Sequence, residues 1–316
     1  MEETPTLTAH KEDAGKRLDI YITEKFSDTS RSQIQKRIKA KRVLINNKPT
    51  SVHQSIKEGD MISLLDDLSN GEQHVTDEAE EEINPLPELD IIEETDSFLV
   101  INKPAGILVQ PDHKHKTGTL IDMLISHDPS LARIGEDPSR PAIVHRLDKE
   151  VSGLMLVAKT QQAYEYFKHL FKQRKINKTY LAFVNGELPQ QEGDIRFRIA
   201  RSSTGARMAA RPEQEDSGRA AWTHYHVIER FRGATLAEVT IISGRTHQIR
   251  AHFFALGSPV IGDPLYKAKH ATRSIESPSL MLQSIGLEFT DPVTDELRSY
   301  ALAPDPSFEI LRNELS

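Results

Sequence analysis

Four ionisable side chains crowd into one short run of this 316-residue chain. Between the apolar stretches Ala142-Ile143-Val144 and Leu154-Met155-Leu156-Val157 stand His145, Arg146, Asp148 and Lys149. The pattern predicts strand, polar turn, strand. A turn held at a sheet end is rigid enough for a carboxylate, an imidazole and two cations to act in proton transfer or charge stabilisation. A charged hairpin tip without chemistry is the competing reading. Ser152-Gly153 weighs against it, because that pair at a strand start marks a bulge or a close backbone approach.

A second segment, Ile242-Ser243-Gly244-Arg245-Thr246-His247-Gln248-Ile249-Arg250-Ala251-His252, leads from a strand through glycine into a helix start. Helix N-termini favour anions, so Arg245, Arg250 and free backbone amides could meet a carboxylate or a phosphate. A capped surface helix is the alternative. His247 and His252 are five apart, which suits no common helical metal pair, so solvent-facing or internally bonded histidines are expected. Third, Lys178-Thr179-Tyr180 opens a strand after the basic run from Lys172. Tyr180 is either a core aromatic or a ring that stacks on a base and moves a proton.

Other chemistries are excluded by what the sequence lacks. With no cysteine there is no disulfide, thiolate nucleophile or cysteine-bound zinc. No phosphate-binding glycine loop, dinucleotide fingerprint, His-Glu-x-x-His pair or Gly-x-Ser-x-Gly elbow occurs. No apolar run approaches the roughly 20 residues of a membrane helix. The start, Met1-Glu2-Glu3-Thr4-Pro5, is unlike a secretory leader, so a cytoplasmic location is expected. The net charge of −7 is unevenly spread. Residues 65–96 hold 13 acidic side chains and no Lys or Arg, whereas residues 15–64 hold 11 basic against 5 acidic. The basic N-terminal segment is therefore the place for a polyanion.

The elements that must position these groups follow from periodicity. Residues 1–14 are expected to be a disordered tail. Leu18, Ile22 and Phe26 recur at helical spacing, as do Ile34 and Ile38 after the cap Ser30. Strands are expected at Val43-Leu44-Ile45, turning at Asn46-Asn47, and at Met61-Ile62-Ser63-Leu64 after a turn at Lys57–Asp60. Residues 15–65 thus form a small α/β module. Residues 66–87 are an acidic, proline-containing linker, and residues 88–316 a second, larger domain. There, strands are expected at Phe98–Ile101, Ala142–Val144, Leu154–Val157, Tyr180–Val184 and Ala237–Ile241. Thr160 caps a helix with Ala163, Phe167, Leu170 and Phe171 on one face. Thr246 caps another that buries Ile249, Phe253 and Leu256 and ends at Gly257. Strands and helices do not alternate regularly, which makes the domain α+β with a mixed, mainly antiparallel sheet and flanking helices.

At these residues the chain closely resembles the RluA family of pseudouridine synthases. His145-Arg146-Leu147-Asp148 with Ser152-Gly153 is similar to that family's catalytic-aspartate motif. Asn102-Lys103-Pro104-Ala105-Gly106, Gly118-Thr119-Leu120, Arg140-Pro141, Lys178-Thr179-Tyr180, Gly244–Arg250 and Gly262-Asp263-Pro264-Leu265-Tyr266 follow in the family's order. The basic module resembles the alpha-L (S-four) RNA-binding domain of the RluC and RluD branches. The resemblance implies an isomerase that breaks the N-glycosidic bond of a uridine in RNA, turns the uracil and rejoins it through carbon five. Such a reaction needs no metal, redox partner or nucleotide cofactor. It implies Asp148 as the carboxylate acting on the ribose, by attack at the anomeric carbon or removal of the C2′ proton. Arg250 would pair with Asp148 and keep it ionised, and Tyr180 would lie against the uracil. Arg146 would fill the gap left by the flipped base, Leu282 would pack near the base, and His145, Arg245 and His247 would join the RNA-binding set. In the module, Arg31, Lys36, Arg37, Lys39, Lys41 and Arg42 would meet phosphates; a solvated helix face is the alternative. Branch and module favour large-subunit ribosomal RNA ahead of transfer RNA, with a monomer as the default state.

Four positions depart from the family's pattern. Val151 stands where threonine is usual and should keep the packing while losing one turn hydrogen bond. Gln283-Ser284 replace His-Ala, and Ala142 replaces a glycine. None is expected to touch Asp148, Tyr180 or Arg250. Two other classes compete with the isomerase: a non-catalytic RNA-binding or ribosome-assembly protein using the same surface, and a hydrolytic glycosidase. The latter usually needs two paired carboxylates, and one is evident.

Overall fold

A computed structural model describes residues 6–26, 31–39, 41–51, 54–65, 86–112, 115–202, 207–215, 217–267 and 275–316. The cap Ser30 and most of the acidic linker (66–85) lie outside the described residues. The chain divides into two units, Met1–Asn84 and Pro85–Ser316.

In the first unit, β1 (Thr6–Thr8), α1 (Leu18–Lys25), α2 (Arg31–Lys39), β2 (Val43–Ile45), β3 (Lys48–Pro49) and β4 (Met61–Leu64) form two helices and a sheet of order β1-β4-β2-β3. Asn46 and Asn47, both at positive φ, make the tight β2–β3 turn, a conformation asparagine tolerates well. The periodic residues Leu18, Ile22, Ile34 and Ile38 meet Val43, Ile62 and Leu64 in one core. The expectation of a disordered tail over residues 1–14 is corrected from Thr6 onward. β1 pairs antiparallel with β4, Leu7 packs on the core and Ala9 is buried. A three-residue polar strand carries no periodic signal, yet it covers an otherwise unpaired sheet edge.

The second unit is built on one mixed sheet. Its strands are β5 (Asp90–Glu94), β6 (Phe98–Lys103), β7 (Ser152–Ala158), β8 (Asn177–Asn185), β9 (Glu192–Ile195), β13 (Thr223–Phe231), β14 (Ala234–Ile241), β15 (Leu282–Thr290) and β16 (Leu297–Ala301). The order is β5-β6-β7-β15-β8-β14-β13-β9, with β16 on β15. Among the described residues only the β7–β15 pair is parallel, so the sheet is mainly antiparallel and the domain α+β. A small sheet of β10 (Arg198–Arg201), β11 (Met208–Arg211) and β12 (Arg219–Ala220) lies between β9 and β13 in the chain. The helices are α3 (Leu120–His127), α4 (Gln161–Gln173), α5 (Gln248–Ala255) and α6 (Pro306–Leu315).

Strand alternation on β8 sends Tyr180, Ala182 and Val184 into the main core and Leu181 and Phe183 to the opposite face, where Phe308 and Leu311 of α6 cover them. Thr160 caps α4 by accepting a hydrogen bond from the Ala163 amide. Its Phe167 meets Phe98 and Phe289 edge-on at ring distances of 5.9 and 5.3 Å.

Two expected elements differ. Ala142–Val144 forms no strand; Ile143 makes one isolated bridge to Val157. The cause is Ala142, held at φ 62 in the left-handed region, where an L residue costs roughly 1–2 kcal/mol. The second difference is at α5, which starts one residue later than expected, at Gln248, with His247 left-handed at φ 52. The Gln248 side chain, not Thr246, receives the Arg245 amide (3.1 Å). Leu256 is 39% exposed rather than buried, while Gly257 ends the helix at φ 80.

Candidate active site

Asp148 sits on the loop immediately before β7, and several contacts hold that loop still. The Val151 amide donates to the Asp148 carbonyl (3.2 Å) and the Gly106 amide to the Lys149 carbonyl (2.8 Å). Lys103, fully buried, donates from Nζ to the carbonyls of Pro104, Ile107 and Lys149 at 2.7, 2.9 and 3.2 Å. The Asn102–Gly106 segment is thus the brace of the Asp148 loop. Gly153 is required as the sequence indicated: a Cβ there would collide with the Ser284 carbonyl of β15.

Arg250 reaches this carboxylate from α5, 102 residues away in sequence, through Nη1 to Asp148 Oδ2 at 3.1 Å. Arg250 is itself 0% exposed and is held bidentately by Asp263, Nε to Oδ2 at 2.7 Å and Nη2 to Oδ1 at 2.9 Å. Burial alone would raise the Asp263 carboxyl, but Arg250 and the amides of Leu265 and Tyr266 hold it below its ordinary value. Burial likewise opposes the charge on Arg250, and the two aspartates more than restore it. Glu150 Oε2 lies 3.6 Å from the same Nη1. Beneath the guanidinium is the ring of Tyr266, 5.4 Å from it. The Tyr266 hydroxyl donates to the Met208 carbonyl (3.0 Å) and accepts from the Met208 amide (2.9 Å), tying β11 to this platform.

One open cleft of about 480 Å³ is lined by Asp148, Tyr180, Arg250, His145, Arg146, Arg245, His247 and Leu282 together. All eight residues expected at the site within this unit therefore converge, although they come from β8, β15, α5 and two loops. Arg146 lines the cleft and is exposed. Tyr180 is 5% exposed; burial pushes its phenol far above the ordinary value, Asp148 adds to this, and the Ser284 hydroxyl opposes it. His145 accepts the Leu156 amide at Nε2 (2.8 Å) and packs on Phe171; burial, with Lys178 nearby, drives its pKa down to about 3. It is a neutral wall, not an acid. His247 Nε2 is 3.9 Å from Asp148 Oδ2, too long for a hydrogen bond, and its Nδ1 is 3.2 Å from the Tyr266 hydroxyl. His252 is fully buried and bonded to Thr223 Oγ1 and the Phe197 carbonyl. Among the described residues no group of three histidines or acids is arranged to hold a metal ion.

The departures behave unevenly. Val151 is 3% exposed and packs in the core, and Gln283 Oε1 accepts the Asp305 amide (2.7 Å). Ser284 corrects the expectation that none of them touches the site. It stands opposite Tyr180 in the β15–β8 register and donates to the Leu154 carbonyl (3.2 Å). Asp263, Tyr266 and Glu150 were given no role from sequence. The signal for the first two was the Gly262–Tyr266 motif itself, an acid in a turn within reach of a lone buried arginine.

The six basic residues of the other unit are placed differently. Arg31 donates from Nε to the buried Asp19 (3.0 Å), so it is anchored. Lys41 and Arg42 are exposed and Arg37 is half-buried. The side chains of Lys36 and Lys39 lie outside the described residues.

Comparison with known proteins now decides the family. The model of the RNA pseudouridylate synthase family matches residues 97–255, half of the chain, and that of the S4 domain matches residues 16–62. This chain belongs to the RNA pseudouridylate synthase family. It is 33% identical to the RNA pseudouridine synthase YlyB of Bacillus subtilis over 97% of each chain. It is 35% identical to the ribosomal large subunit pseudouridine synthase D of Neisseria meningitidis over 96% of this chain and 80% of that one. Human RNA pseudouridylate synthase domain containing 1 superposes with a TM-score of 0.56 at 27% identity, covering 70% of this chain and 85% of the human one. As a pseudouridylate synthase with an S4 domain, the chain is an RNA-binding isomerase that converts uridine to pseudouridine.

Proposed function

We propose that this synthase acts on large-subunit ribosomal RNA, with Asp148 working on the ribose of a flipped-out uridine. The observation carrying this reading is the state of Asp148. Its side chain is 16% exposed in the cleft and receives one guanidinium nitrogen, leaving carboxylate lone pairs for substrate. Arg250 orients and charges-balances that carboxylate while Asp263 fixes Arg250. Tyr180 and Leu282 lie against the uracil, with the protonated phenol available at carbon five. His145 and Arg245 line the strand's path, His247 stands beside the ribose, and Arg146 occupies the vacated stack. The ribosomal target is supported by relatives named as large-subunit synthases and by the S4 domain.

Arg31, Lys36, Arg37, Lys39, Lys41 and Arg42 belong to this proposal as phosphate contacts, as do a monomeric state and a cytoplasmic location. No helix among the described residues is long and apolar enough to cross a membrane. The glycosidase alternative gains nothing from the acids nearby, since Asp263 is saturated by Arg250 and Glu150 does not line the cleft. The test is incubation of the purified protein with large-subunit ribosomal RNA, followed by pseudouridine mapping. A new pseudouridine made by the native protein and not by Asp148→Asn is expected. RNA left unmodified, or free uracil released, would refute the reading.

A further inference from the structure

Two lysines of this unit are buried, and burial pushes both ammonium groups down to about 8. Lys103 is saturated, with three backbone carbonyls around Nζ. Lys178 is different. It is 7% exposed, lines the cleft, and among the described residues has neither a carboxylate within 4 Å nor an acceptor for its ammonium. The ring of Phe171 lies 5.0 Å from Nζ. The ring face attracts a cation but supplies no lone pair. The stem is buried and the ammonium opens into the cleft without a bonded anion, which leaves a position there for one to arrive.

The fold indicates which anion. Lys178 and Tyr180 are two residues apart on β8, hence on the same face and about 7 Å apart along the strand. Tyr180 faces the base and Asp148 the ribose, and the phosphates are bonded to that ribose. The wall beyond Lys178 is cationic as well, with Lys172 and Arg174 lining the same cleft. His145, on the near side, is neutral and competes for no anion. We propose that Lys178 binds a backbone phosphate adjoining the target uridine and so seats the flipped nucleotide against Asp148 and Tyr180. This rests on the synthase reading above.

The test uses an RNA oligonucleotide carrying the uridine mapped as the target, made with its normal phosphodiesters or with one uncharged methylphosphonate on the 5′ or the 3′ side. Native protein is expected to lose on the order of 10- to 100-fold in kcat/KM with one of these linkages, the usual value of a charge-assisted hydrogen bond. Lys178→Met should lose a similar factor on normal RNA and little more on the methylphosphonate. It should also flatten the salt dependence of log kcat/KM by about 0.7, one phosphate contact to a single strand. Lys178→Arg should retain most of the activity, since a cation is kept at the site. Methionine keeps the buried stem and removes a poorly solvated cation, so the thermal midpoint should hold or rise, which separates the effect from misfolding. Equal methylphosphonate losses in native and Lys178→Met proteins, or unchanged kcat/KM in Lys178→Met, would overturn the assignment. If native protein forms no pseudouridine in any RNA, the synthase reading fails first.

Discussion

Asp19 in the N-terminal unit and Asp148 in the catalytic unit are both carboxylates held by arginine, and their differences separate a saturated structural acid from the one proposed to act on substrate. Asp19 is 0% exposed and receives Arg17 twice, Arg31 and Gln35 at 2.6–3.1 Å. Burial would raise its pKa, but Gln35, Arg17 and Arg31 outweigh that and hold it at about 2. Its lone pairs are spent. Asp148 is partly exposed, takes one donor, and shares that donor with a saturated partner, Asp263. The protein fixes the arginine so that the carboxylate can stay underbonded. The role proposed for Asp148 rests on that incomplete coordination.

The sharpest way to break this contrast is Asp148→Asn. Turnover should fall by more than about 1,000-fold while stability changes little, because Arg250 keeps Asp263. Single-turnover pseudouridine formation beside a urea melt reads both, and measurable activity would remove Asp148 from its role. Asp263→Asn should do the reverse in emphasis. Breaking this buried pair leaves Arg250 only its single hydrogen bond with Asp148 and should cost about 3–5 kcal/mol in urea unfolding, with activity lost alongside. Asp19→Asn should cost about 2 kcal/mol in the first unit's own stability. Because the folded pKa of Asp19 lies below its unfolded value of 3.8, its contribution is complete above about pH 4 and disappears as pH falls towards 2. The mutant should therefore show a flatter acid limb over that window; an unchanged limb would show that Asp19 is not the anchor. Val151→Thr is the smallest test. A hydroxyl added at this buried site regains the turn hydrogen bond, which offsets its desolvation, so stability should shift by less than about 1 kcal/mol and the rate by no more than about threefold.

Much of this contrast was legible in the sequence where periodicity or a local motif carried it. The apolar spacing of Ala163, Phe167 and Leu170 gave α4, and Ser152-Gly153 announced the approach of another backbone. Composition separated a basic module from an acidic stretch. What failed was whatever depended on chain segments far apart. Nothing local marks Thr6–Thr8 as a strand, because its signal is the open edge of β4. Ala142–Val144 has strand composition, but a left-handed alanine overrides it. Asp263 could be read as a turn residue from its neighbours, and its grip on Arg250 appears only once α5 and the Gly262 turn are brought together. Ser284 stands out in the sequence as a departure, but its place beside Tyr180 does not, for the same reason: cross-strand register puts the two opposite each other.

The position of β15 has a consequence for how the protein is made. β7 and β8 are separated by only 18 residues of chain, yet β15 lies between them and begins more than 95 residues after β8 ends. As the polypeptide leaves the ribosome, β7 and β8 must each wait with an unpaired edge until β15, from Leu282 on, has been synthesised. Such long-range closure is slow, and open edges invite aggregation. A nascent chain arrested before Leu282 would present two sticky half-sheets and an incomplete cleft, so the sheet and the site it carries come into being together, with the arrival of one late strand.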